Sequence, residues 1–255
     1  MCIRDSPLEV HGVHRDEIDR RVGAESRAMT IERFLQRMPN QLAAGHQQLV
    51  QAARALVRRP SVFLLDEPLA RVDPVLRQDM RSEIRLLQRG YDVTALYATN
   101  DPIEAMALGD RILVIDRGRV VQLASPHDIY HRPANAFVAS FVGSPPMSML
   151  PGRVCEREIV LASGALPLPK PLASPDVTVG VRPEDWEIVP TAGLNATVVS
   201  VEHHGDHGFV HVDLAGDPAV VRTRDGYPSV GDSVQLWTRR FHVFGPNRTR
   251  LTSVP

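Results

Sequence analysis

The chain is poor in several things that would narrow its class quickly. Among its 255 residues there are two cysteines, Cys2 and Cys155, far apart in sequence. That is no disulfide framework, and it fits a reducing compartment. No run of 18 apolar residues occurs, so nothing reads as a membrane-spanning helix. The formal net charge of −1 gives no electrostatic argument for a nucleic-acid partner or an anionic lipid surface. Lysine is nearly missing: Lys170 is the only one, and arginine supplies the remaining basic residues. What remains, 43% hydrophobic and 23% charged residues, is the composition of a globular protein of one large or two ordinary domains. Two glycosylation sequons, Asn195-Ala196-Thr197 and Asn247-Arg248-Thr249, are read as chance matches.

The most informative stretch is Val62–Pro68, Val-Phe-Leu-Leu-Asp-Glu-Pro. A short apolar run closed by a breaker predicts a strand buried on both faces of a parallel sheet. Pro68 stops it, which leaves Asp66 and Glu67 at the carboxyl end, where open α/β sheets bind ligands. There Asp66 suits Mg²⁺, directly or through water, and Glu67 suits polarisation of an attacking water. A strand that simply runs into an acidic turn reads the same way.

Around this stretch the chain alternates helix and strand. Pro7–Arg37 reads as helix with a charged face, and Met38–Leu42 as a linker. Leu42-Ala43-Ala44-Gly45-His46 opens a helix running to Arg58; a glycine at a helix start lets backbone N–H groups face an anion. Asp73 caps a helix over Pro74–Arg89, and Asp92–Thr99 reads as a strand with Asn100 and Asp101 at its end. Asp101 caps a helix over Pro102–Leu108. Arg111–Asp116 and Val120–Leu123 form a hairpin, and short helices follow at Pro126–Tyr130 and Asn135–Val142. The alternation predicts a parallel α/β sheet. Beyond residue 144 prolines accumulate, then short β-rich runs recur at Val177–Val181, Ala196–Val201, Gly208–Leu214, Ala219–Arg222, Ser233–Leu236 and Phe241–Phe244. These predict a small barrel or sandwich. His203, His204, His207 and His211 straddle a turn at Gly205-Asp206; adjacent strand residues face opposite ways, so an exposed hairpin explains them better than a metal site does.

In combination these segments resemble the ATPase subunit of an ABC transporter, from about Pro7 to near the end. Val62–Pro68 matches the Walker B pattern, Asn40–Pro60 the signature helix, and Glu104-Ala105-Met106 with Asp110-Arg111-Ile112 the stretch after the switch residue. Arg132-Pro133-Ala134-Asn135, Gly143-Ser144-Pro145-Pro146-Met147 and Val181-Arg182-Pro183-Glu184 resemble the carbohydrate and glycerol-phosphate importer branch, with its OB/TOBE-like barrel. The resemblance implies a partial ABC ATPase domain over residues 7–143, a linker over 144–176 and the β domain over 177–255. Residues 1–6 read as a non-native leader. It implies ATP and Mg²⁺ as cofactors, Asp66 as the metal ligand and Glu67 as the base. Asn100 falls at the switch position, and Ala43, Ala44, Gly45 and His46 form the signature that meets the ATP of a second ATPase subunit. Asp73 is the D-loop acid. Membrane permease subunits are the other implied partners, with the chain peripheral on the cytoplasmic face and no nucleic acid bound.

The chain departs from that family in three ways. It contains no Gly-x-x-x-x-Gly-Lys-[Ser/Thr] loop, and Lys170 lies in a proline-rich stretch that cannot supply one. The reading is therefore of a subunit truncated before Pro7 that binds ATP weakly alone. The signature is Leu-Ala-Ala-Gly-His where the family has Leu-Ser-Gly-Gly-Gln, so Ala43 lacks a hydroxyl and Ala44 adds a Cβ near phosphate. The switch histidine is Asn100, and the D-loop is Ala70-Arg71-Val72-Asp73. A degenerate subunit, one half of an asymmetric pair, is expected; the alternative is a non-catalytic regulatory or scaffold subunit.

Overall fold

The computed structural model describes residues 6–28, 31–70, 72–73, 77–78, 80–82, 84–85, 90 and 93–254. Residues 1–5 of the leader and Arg71 lie outside them, as does much of the expected helix over Pro74–Arg89, although described residues between 77 and 85 are helical. The chain divides into two compact units, Met1–Gly109 and Asp110–Pro255.

In the first unit, helix α1 (Ser6–Val10) and helix α2 (Arg15–Ala28) replace the single expected helix. Gly12 explains the break: its φ of +69° is open to glycine and closed to most side chains. Leu8, Ile18 and Val57 form the small core beneath. Helix α3 (Ala44–Leu56) follows a 3₁₀ turn at Pro39–Gln41 and packs through Val50 and Ala53 against Ile31, Phe34 and Phe63. Strand β1 (Val62–Asp66) pairs in parallel with β2 (Thr94–Ala98), in the register Val62↔Thr94 to Asp66↔Ala98. Helix α4 (Pro102–Leu108) starts on the Asp101 side chain, which accepts hydrogen bonds from the Ile103 and Glu104 amides.

The expectation that β1 is buried on both faces is corrected. Its residues alternate, with Val62 50% and Leu64 74% exposed, and Leu96 of β2 is 63% exposed. Among the described residues the sheet has two strands, so one face meets solvent while Phe63 turns to the core. Asp66 shares the open face, since side chains two apart point the same way.

The second unit opens with a hairpin of β3 (Ile112–Asp116) and β4 (Arg119–Ala124), closed by Arg117 and Gly118 at positive φ. Helices α5 (Pro126–His131) and α6 (Ala136–Phe141) start on the side chains of Ser125 and Asn135. Two antiparallel sheets follow. The strands are β5 (Ser148–Cys155), β6 (Glu158–Leu161), β7 (Gly164–Pro167), β8 (Asp176–Val181), β9 (Trp186–Val189), β10 (Leu194–His203), β11 (Gly208–Leu214), β12 (Asp217–Thr223), β13 (Ser233–Thr238), β14 (Phe241–Phe244) and β15 (Arg250–Val254). Six run in the order β15-β14-β8-β5-β6-β7 and five in the order β12-β11-β10-β13-β9. The stretch 144–176, expected as linker, thus carries three strands of the six-stranded sheet.

One core joins the two sheets: Leu150, Ile159, Leu166, Val179 and Val243 from one meet Leu194, Val210, Leu214, Val221 and Leu236 from the other. The period of two in β11, buried at every second residue, is the cause. Arg182 joins α5 and α6 to this unit. It is 3% exposed, donates to the carbonyls of Tyr130, Ala139 and Val142, and lies 4.0 Å from the centre of the Tyr130 ring.

Candidate functional site

The parallel pairing of β1 and β2 puts three candidate residues at one sheet edge. Asp66 stands opposite Ala98, and the amide of Glu67 donates to the Ala98 carbonyl at 2.9 Å. Asn100 follows two residues later, so Asp66, Glu67 and Asn100 share the carboxyl edge, and all three are exposed. Glu67 has φ +42°, a left-handed conformation that costs a non-glycine residue on the order of 1–3 kcal/mol. Its carbonyl accepts from the Ala70 amide at 3.2 Å, which turns the chain sharply away from the strand. Leu69 and Val72 are buried against Met80 and fix the far side of that turn. Asp73 is exposed, and its carbonyl accepts from the Arg77 amide at 2.9 Å.

The turn carrying Asn100 is held by residues that sequence reasoning did not assign to the site. Glu104 is 3% exposed, and its Oε2 accepts from the hydroxyls of Tyr97 and Thr99, each at 2.9 Å. Thr99 Oγ1 in turn accepts from the Asp101 amide at 3.0 Å, so both flanks of Asn100 are tied to one carboxylate. Burial, then that hydrogen bond, pushes the Tyr97 phenol well above its ordinary pKa and keeps it a donor. Arg77 sits 3.8 Å from Asp101 and donates to the Val72 carbonyl at 3.2 Å, linking the segment before Asp73 to the Asn100 turn. The one signal for these residues in the sequence is the family resemblance at Glu104-Ala105-Met106.

The signature residues do not sit on this edge; they open α3. Ala43 is the N-cap, and no side chain caps the helix. The preceding loop is held instead by Gln47, whose Nε2 donates to the carbonyls of Pro39 and Leu42 at 2.9 and 3.0 Å. The ring of His46 lies 4.2 Å from that of Phe34, over which the guanidiniums of Arg33 and Arg37 stand at 4.8 and 5.6 Å.

The arrangement can offer carboxylate oxygen to a hard cation at Asp66, a proton acceptor at Glu67 and an uncharged amide at Asn100. The histidines of the β10–β11 hairpin are engaged locally. Glu202 takes His204 at 3.2 Å and lies 3.1 Å from His211, while Asp206 takes His207 at 2.7 Å. Among the described residues no group of three or more His, Cys, Asp and Glu is placed to hold a metal ion.

Acids at the carboxyl edge of a parallel sheet, followed by a largely β unit, define an α/β protein with its ligand edge at the strand ends. Comparison with known proteins makes this specific. The ABC transporter family matches residues 6–70, the MalK OB fold domain residues 143–186 and the TOBE domain residues 179–244. A relative from Ruegeria pomeroyi, the sn-glycerol-3-phosphate import ATP-binding protein UgpC, is 40% identical over 246 residues, covering 94% of this chain and 70% of the relative. UgpC 2 of Agrobacterium fabrum is 42% identical over 249 residues, covering 94% of this chain and 67% of the relative. Among solved structures, cbiO1 from Clostridium perfringens, part of the ABC transporter complex cbiONQ, aligns at 28% identity and a TM-score of 0.44 over 46% of this chain and 47% of that one. The chain belongs to the ATP-binding subunits of ABC importers, with an ABC ATPase part and an OB/TOBE-type β domain. Members of that family bind ATP and work as dimers on membrane permeases. No described helix is long and apolar enough to cross a membrane.

Proposed function

We propose that this subunit drives uptake of sn-glycerol 3-phosphate or a closely related phosphorylated polyol, with Asp66, Glu67 and Asn100 as its share of the hydrolytic site. The solute follows from the names of its relatives, and the site from the convergence of the three residues on one sheet edge. That convergence is the observation that carries the reading, because the parallel register alone produces it. Residues 7–143 act as the ATPase part, and the strands from Ser148 onward belong to the β domain.

Asp66 fits Mg²⁺, being an exposed carboxylate at a strand end. The fit to the nucleotide's phosphates is incomplete, since these 255 residues contain no Gly-x-x-x-x-Gly-Lys-[Ser/Thr] loop. MgATP supplies the free energy of hydrolysis when bound. Within this chain, Glu67 accepts the proton of a water, and the left-handed backbone at Glu67 sets the direction of its side chain. Asn100 orients a polar partner by hydrogen bonding but carries no proton, unlike a histidine there. Ala43, Ala44, Gly45 and His46 face the nucleotide of the second ATPase subunit, and Asp73 stands in the loop between the two. The second subunit is an identical chain or a close relative, and the permease pair sits in the membrane above the cytoplasmic face.

The test is uptake of radiolabelled sn-glycerol 3-phosphate by cells expressing the cognate permease with this subunit and a second ATPase subunit that carries the phosphate-binding loop. Uptake that disappears with Glu67→Gln supports the reading. Normal uptake by the Glu67→Gln strain, or accumulation of an unrelated solute alone, contradicts it.

A further inference from the structure

We propose that a cleft in the second unit, between α5 and the β10–β11 hairpin, binds a small anion that also carries hydroxyl groups, in the manner of a phosphorylated polyol. The cavity is about 330 Å³ and is walled by Tyr130, Ser144, Glu184, His207, Phe209 and Arg222 among others. These come from α5, the turn before β5, the 3₁₀ turn after β8, the hairpin and β12, so five segments distant in sequence converge on it. At about 30 Å³ for each water-sized group, it holds on the order of ten non-hydrogen atoms.

The polar groups are of two kinds. Arg222, exposed at the cleft mouth like Ser144 and Glu184, pairs across the ladder with Phe209, and among the described residues its guanidinium makes no hydrogen bond or ion pair. Ser144 likewise keeps a hydroxyl without a described partner. These are donors, and a guanidinium matches an oxyanion bidentately. Glu184 is an acceptor: its Oε1 takes the Tyr130 hydroxyl at 2.6 Å, and its Oε2 has no described hydrogen bond. His207 Nδ1 lies 2.7 Å from Asp206 Oδ1, which can only accept, so Nδ1 carries the proton and Nε2 is left for another partner. The charged neighbours behind the cleft are matched, with Arg182 on three carbonyls and Asp185 3.6 Å from Arg240.

This mixture selects the ligand. A bare anion on Arg222 meets the charge of Glu184, and a neutral sugar leaves the guanidinium with no oxyanion to hydrogen-bond, only the through-space attraction of Asp206. A molecule with an anionic group at one end and hydroxyls at the other satisfies both, with the Phe209 ring as an apolar wall. The lining of the cleft alone selects this ligand class, whichever solute the importer carries.

The experiment is isothermal titration of the full chain with three probes: sn-glycerol 3-phosphate, glycerol and inorganic phosphate. We expect saturable binding of sn-glycerol 3-phosphate, weakened about tenfold or more by Arg222→Gln and left unchanged by Arg224→Gln, an exposed arginine two residues away. Glu184→Gln should weaken sn-glycerol 3-phosphate and spare inorganic phosphate. Thermal unfolding of each variant checks that the fold is kept. Binding of inorganic phosphate as tight as that of sn-glycerol 3-phosphate, and indifferent to Glu184→Gln, overturns the hydroxyl half of the proposal. Binding indifferent to Arg222→Gln, or none with any probe, overturns the site.

Discussion

Glu67 and His242 show how a residue's setting departs from its type. Glu67 occupies a backbone region that few side chains adopt, at the point where a strand must turn into a loop without losing its last ladder bond to Ala98. The Asp-Glu pair was legible because it interrupts an apolar run; the strain was not, since nothing in the residue order specifies φ. Glu104, Tyr97 and Arg77 were harder still: their roles arise from contacts between β2, α4 and the segment after Val72 that no local pattern encodes. His242 lies on β14 with its Nδ1 2.7 Å from Ser253 Oγ. Burial first, and the nearby Arg250 next, pull its pKa down from 6.5 to about 4. The folded state therefore resists protonation that the unfolded chain accepts. The resulting stability is complete above about pH 6.5 and is lost as the pH falls from there through about 4. Melting temperatures measured across this range should fall more steeply for the native chain than for His242→Asn; parallel curves would contradict the assignment.

At the scale of elements, helices and strands with regular patterning were readable and irregular ones were not. The starts of α4, α5 and α6 follow from Asp101, Ser125 and Asn135, each of which caps its helix as its residue type suggests. Strands β8, β10, β11 and β14 carry clear apolar alternation and were found. Strand β5 was missed because Pro151 and Gly152 interrupt it. At Pro151 it pairs with β8 alone, and pairing with β6 begins only at Arg153, so a proline is tolerated. The buried Arg182 lies in the Val181-Arg182-Pro183-Glu184 motif, yet its task is mechanical: it serves the carbonyls of α5 and α6. Arg182→Lys keeps the charge but not the planar fork, and should cost about 2–4 kcal/mol by leaving buried carbonyls unserved. Urea unfolding checks this; a loss below about 1 kcal/mol would mean the carbonyls find other donors. At the opposite end of the chain, Ala43 leaves α3 without a side-chain cap. Ala43→Ser should add about 1 kcal/mol of stability through the cap alone, readable in the same unfolding assay without nucleotide, whereas no gain would show that the loop held by Gln47 already satisfies the helix start.

On the scale of the whole molecule, an ATPase part and a two-sheet β domain are joined in one chain whose family is shown by relatives it matches over most of its length. The fold class was legible because strand–helix alternation gives way to short strands, and that change of texture survives any single misplaced boundary. The open face of β1 and β2 was not legible, because an apolar strand looks the same whether or not a layer covers it. The central claim is that the acids on that sheet do hydrolytic work in an importer. The measurement that tests it most directly is ATP turnover by the assembled importer containing this subunit, native against Glu67→Gln, with nucleotide binding followed in parallel. The account predicts that turnover falls by about a hundredfold or more while binding is retained, as expected for loss of a general base. Turnover unchanged by the substitution would show that the hydrolytic acid lies elsewhere and that Glu67 only closes a strand.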